Sequence, residues 1–132
     1  MTVVAWHDDM RTGIDSLDAD HQRIIQLLNA ITMFVERGEV KEAINEAVIL
    51  SLLMDSHSGR ELGELDRLNI ENVEGIIEVQ TRFRLQGQEI SKRLVISPQD
   101  GAALAKELAV SFSNYLMTCG KMVRARLVER GL

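Results

Sequence analysis

Ser56-His57-Ser58-Gly59-Arg60-Glu61 is the stretch on which the reading of this chain turns. A histidine and a glutamate stand four residues apart within a long helical pattern. On a helix they leave the same face, offset by about 40°. Leu50, Leu53 and Met54 come just before them, on the side expected to be buried. A buried imidazole and carboxylate are costly unless they are paired, hydrogen-bonded or bound to a metal. The pair therefore calls for a partner from elsewhere in the chain.

Working outward, the helix that carries the pair is expected over residues 39–65, with Ile44, Val48 and Leu52 leading to His57 and Glu61. Before it, a helix over 15–37 begins among Asp15, Ser16 and Asp18, where acids suit the positive end, and stops at Gly38. Its apolar stripe reads Leu17, Ile24, Leu27, Leu28, Ile31, Phe34 and Val35. His21 falls on that stripe. A lone histidine there reads as a satisfied core residue, and only His57 and Glu61 give it a second meaning. After a turn at 66–72, a third helix is expected over 70–94, with Val73, Ile76, Ile77, Gln80, Phe83 and Ile90 inward. Ser97-Pro98-Gln99-Asp100 opens the fourth, over 98–129: Ser97 caps, Pro98 takes the first helical position, and Asp100 sits in the first turn. Leu104, Leu108, Phe112, Tyr115, Leu116 and Cys119 form its inner face. Residues 1–14 lack helical periodicity and read as an arm, with Trp6 sealing the core and His7 exposed.

Four amphipathic helices with short connections define an all-α fold, an antiparallel up-down-up-down four-helix bundle, in one domain. The composition agrees. Of 132 residues, 45% are hydrophobic but only 4% aromatic, with nine glycines and one proline. That describes an aliphatic helical core rather than a sandwich or barrel. A net charge of −5 argues against nucleic acid and anionic membrane as partners. One cysteine forms no internal disulfide, so a reducing cytoplasm is the expected location. No apolar run reaches the length of a membrane span. No nucleophile–base pair or glycine-rich phosphate loop is present, so no enzyme activity is expected.

Trp6, Gly13-Ile14-Asp15, Asp18 and His21 together resemble the opening of the bacterial hemerythrins. His57 and Glu61 resemble that family's His-x-x-x-Glu on the second helix. The resemblance runs along the whole chain and implies a di-iron site with seven protein ligands. Carried over residue by residue, three positions match: His21, His57 and the bridging Glu61. Counting on without a gap, the helix-three histidine pair falls on Ile76 and Gln80, with Phe83 at the family's phenylalanine. The helix-four histidine falls on Cys119 and the second bridging carboxylate on Arg124.

The resemblance thus implies a bundle that has lost every terminal ligand of one iron. Two readings of the remainder follow. In the first, no metal or other cofactor is bound, Arg124 neutralises Glu61, and the domain acts as a regulatory or protein-interaction module through a protein partner or self-association. Because positions five apart differ by about 140°, Arg124 must reach around the helix from the Cys119 side to do so. In the alternative, His21, His57 and Glu61 hold one iron or zinc ion in a gas or redox sensor or a small oxidoreductase. That reading requires Arg124 to turn away. Cys119 reads as a small buried hydrophobe, and Met33, Met54, Met117 and Met122 as core filler.

Overall fold

The computed structural model describes residues 3–71 and 73–132. Met1 and Thr2 of the expected arm, and Asn72 at the end of the expected turn, lie outside them. Four helices follow one another: α1 Asp15–Glu36, α2 Val40–Arg67, α3 Val73–Ile96 and α4 Pro98–Glu129. Each packs on its two neighbours around a ring, α1 on α2, α2 on α3, α3 on α4 and α4 on α1. The fold is the four-helix bundle expected.

Chemistry at the helix ends explains the boundaries. Gly38 takes φ +75° after α1, its N–H donates to Val35, and Glu39 N–H donates to the Phe34 carbonyl. Asn69 does the same after α2 at φ 55°, with Ile70 N–H on the Leu65 carbonyl. Both are left-handed caps that satisfy the last free carbonyls. Ile70 is thereby committed to closing α2, so α3 starts at Val73 rather than at 70. Ser97 caps α4 from its side chain, accepting from Asp100 N–H at 3.5 Å, with Pro98 in the first turn. At the start of α1 no side chain caps from the first position. Instead Asp18 reaches back: its Oδ1 accepts from the Thr12 N–H and hydroxyl at 2.8 Å each, and its Oδ2 from Gly13 N–H at 3.2 Å.

The α1 face is as expected, except that Phe34 is only half-buried and Ile25 is also interior. The α2 face is not. Val48 is 47% exposed and Leu52 66%, while Ala43, Ala47, Leu50 and Met54 are buried. Counting back from His57 in threes and fours gives this alanine-lined face, where small side chains let α2 lie close to its neighbours. On α3, Gln80, Phe83 and Ile90 are interior, but Ile77 is 43% exposed. Of the methionines expected as filler, Met54 is buried and Met117 faces outward.

The interior forms two apolar clusters. The larger fills most of the bundle; the smaller gathers Leu65, Leu68, Cys119 and Val123, with Ile76 packed against it. The polar residues of interest lie where the two clusters meet. The arm lies along α1 and α4. Asn29 accepts from the Val3 and Val4 N–H groups and donates to the Val4 carbonyl. Trp6 packs half-buried on the larger cluster, and His7 is exposed.

Candidate metal centre

α1 supplies His21, and α2 supplies His57 and Glu61, one helical turn apart. All three are buried, at 0%, 5% and 1% exposure. His21 Nε2 lies 3.0 Å from His57 Nε2 and 3.3 Å from Glu61 Oε2. His57 Nε2 lies 2.5 Å from the same carboxylate oxygen. Three ligand-type atoms therefore converge on one point. A first-row ion bonded at ~2.1 Å to each would set such donors about 3.0–3.4 Å apart. Two of the three separations already have that length. The third needs to open by under ~1 Å.

Around this triangle stands an outer ring of groups. His57 Nδ1 is 2.9 Å from Asp20 Oδ2, and the same oxygen accepts from Arg60 Nε at 2.8 Å. This carboxylate–imidazole contact aims Nε2 inward, as second partners do at metal-bound histidines. The other oxygen of Glu61, Oε1, accepts a short hydrogen bond from the Tyr115 hydroxyl and a contact from Cys119 Sγ at 3.6 Å. Rings pack around the site: His21 meets Phe112 edge-on at 5.8 Å, and Tyr115 meets Phe83 at 5.6 Å.

Charge follows geometry. Burial opposes ionisation of Glu61, yet hydrogen bonds and positive charge from His21 and His57 outweigh it and hold the carboxyl far below its usual range. Burial likewise opposes a charged His57, but Glu61 and then Asp20 push its pKa above the ordinary imidazole value. Asp20, despite burial, is lowered by Arg60 and His57. Burial and the Glu61 charge push both the Tyr115 hydroxyl and the Cys119 thiol far up, so both stay protonated donors.

The four substituted positions separate. Gln80 is buried at 6% exposure and lines a cavity of about 20 Å³ beside His57 and Glu61. That is room for about one water-sized group. Its Oε1 accepts from Ser58 Oγ at 3.4 Å, and its Nε2 has no partner among the described residues. Cys119 touches Glu61, and Ile76 packs beneath it in the smaller apolar cluster. Arg124 is not at the site, which corrects the expected pairing with Glu61. Its Nη1 donates to the carbonyls of Asp9, at 2.9 Å, and Arg11. The reason is helical phase: Arg124 shares a face with Gly120, one turn back. A Cβ on Gly120 would sit 2.8–2.9 Å from the carbonyls of Asp9, Met10 and Arg11. That face of α4 seats the arm.

Asp20, Arg60 and Tyr115 join the site without being expected there from sequence. Tyr115 reads there as part of the inner face of α4. The spacing Asp20-His21 on one helix against His57-x-x-Arg60-Glu61 on the next was the available signal.

A 51-residue stretch of the chain is 39% identical to a bacteriohemerythrin of Stenotrophomonas maltophilia (strain R551-3). The match covers 36% of this chain and 33% of that protein, well short of two thirds of its length. No family model matches the chain. Together with the bundle and its His-His-Glu cluster, this similarity supports a hemerythrin-like protein and extends no further. No helix among the described residues is long and apolar enough to cross a membrane.

Proposed function

We propose that this chain is a hemerythrin-like bundle that has given up the two-iron oxygen-binding centre and holds one divalent ion, iron or zinc, on His21, His57 and Glu61. The observation that carries this reading is the triangle of Nε2, Nε2 and Oε2 at 3.0, 3.3 and 2.5 Å. While Glu61 is ionised, protons alone do not satisfy it. If both Nε2 atoms carry hydrogen, two donors confront each other. If either is bare, its lone pair faces the carboxylate. A cation accepts all three lone pairs at once, and two histidines with one carboxylate suit iron or zinc with positions left open. Arg124, which would oppose a cation beside Glu61, faces the arm instead.

When bound, such an ion supplies an open coordination position for a gas, redox or sensing role. The chain's own residues orient and shelter it: Asp20 steers His57, Tyr115 and Cys119 steer Glu61, and Phe112 and Phe83 keep the surroundings apolar.

A second reading keeps the site metal-free and makes the bundle a regulatory or interaction module in the cytoplasm, acting through a protein partner or self-association. One observation favours it: Glu61 already meets His21, His57, Tyr115 and Cys119. Elemental analysis of protein purified without chelator, then after loading with iron(II) or zinc, separates the two. One tightly held ion per chain, lost in His57→Ala, is expected. A chain that stays metal-free after loading overturns the proposal in favour of the second reading.

A further inference from the structure

The two oxygens of Glu61 have different company. Oε2 faces both imidazoles, at 2.5 and 3.3 Å. Oε1 faces away from them, into the Tyr115 hydroxyl and the Cys119 thiol. A carboxylate that bridges two ions, or chelates one through both oxygens, needs both free. The geometry points to Tyr115 as the residue that holds Glu61 to one ligand oxygen, its hydroxyl capping the outer oxygen and barring the carboxylate from closing on the ion with both. This rests on the single-metal reading above and names what sets how Glu61 binds the ion.

The surroundings of Oε1 agree. A second ion there would need ligands from α3 and α4. Ile76 offers none and is packed against apolar neighbours. Gln80 meets Ser58 Oγ through its amide at 3.4 Å and offers no charged ligand. The adjoining cavity, at about 20 Å³, holds about one water-sized group and not an ion with a shell of its own. Tyr115 is fixed against Phe83 and Phe112, with ring centroids at 5.6 and 6.4 Å, so its hydroxyl is held in place by packing as well as by the hydrogen bond. Tyr115 is a positioning residue: it acts on the metal through Glu61.

Cobalt(II) loading of the full chain tests this, with a metal-free check alongside. The wild-type protein should take up one cobalt and show the intense visible absorption of a four-coordinate ion, from three protein ligands and one solvent. In Tyr115→Phe, Glu61 gains a free Oε1 and closes on the ion with both oxygens. The absorption should weaken several-fold as coordination rises, with one cobalt still bound. Tyr115 is the only tyrosine, so ultraviolet resonance Raman of the metal-free wild type reports its hydroxyl directly. A strong hydrogen-bond donor is expected. Two cobalt ions on wild type, an unchanged spectrum in Tyr115→Phe, or a tyrosine that is not a donor each overturns the assignment. If wild type takes up no cobalt, the single-metal reading falls and takes this assignment with it. If cobalt binds but the tyrosine arms fail, only the role of Tyr115 is lost.

Discussion

Asp20 Oδ2 accepts from His57 Nδ1 at 2.9 Å across 37 positions of sequence, joining the first turns of α1 to the middle of α2. The contact fixes which nitrogen of His57 faces inward. Replacing Asp20 by Leu should lower metal affinity by about 10–100-fold, the usual effect of removing a histidine's second partner. Asp20→Asn, which keeps an acceptor, should lose less. Competition against a chromophoric chelator measures both, and equal affinity in all three proteins would place Asp20 outside the site's influence.

Arg124 and Gly120 should behave as arm residues. Arg124→Ala removes hydrogen bonds to the Asp9 and Arg11 carbonyls and should cost about 1–2 kcal/mol in urea unfolding. Metal content should not change. Gly120→Ala drives a methyl into three carbonyls and should cost roughly 1–3 kcal/mol. Limited proteolysis should cut the arm sooner in both variants.

The metal-free protein should have a stability maximum set by the buried pair. Glu61 is lowered in the fold from its ordinary 4.5, so its contribution is present above that value and is lost as pH falls towards its folded pKa. His57 is raised from 6.5, so its contribution is present below that value and is lost as pH rises through its folded pKa. Chelated protein should therefore be most stable between these two ordinary values. With zinc bound the alkaline limb should reverse, because metal binding needs the ligand nitrogens free of protons. Urea titrations across pH, with and without zinc, check this; an unchanged alkaline limb would argue against a metal on His57.

Gln80 Nε2 is buried, borders the small cavity and meets no partner among the described residues. Such a group costs about 1–3 kcal/mol, so Gln80→Met should hold or raise stability, by up to about 1 kcal/mol. A loss larger than that would mean the amide has a use the fold alone does not reveal. Denaturant midpoints decide it.

The helices were legible because their signals are local. Ser97-Pro98 and Gly38 fix boundaries within a residue or two, and periodicity places His21 on the α1 stripe. The meeting of His21, His57 and Glu61 was legible through the bundle's topology and the resemblance together. The α2 face was not, because bulky Val48 and Leu52 outweigh Ala43 and Ala47 in any reading by hydrophobicity, while close helix packing prefers the alanines. Arg124 holds the aligned position, but its side chain turns to the arm and not to Glu61. On a helix five residues swing a side chain by about 140°, and nothing in the sequence announces that the arm's carbonyls wait on that side. Asp20 and Tyr115 take their meaning only from neighbours 37 and 54 positions away.

The arm is gripped by its main chain as well as by the packing of Trp6 and Met10. Asn29 and Arg124 hold peptide N–H or C=O groups of residues 3–11 and Gly120 leaves room for three of their carbonyls, whereas His7, Asp8, Asp9 and Arg11 project outward. A mutational scan across those four outward positions will look permissive even though the segment is firmly clasped. The intolerance will register instead on α1 and α4, far along the polypeptide from the part being secured.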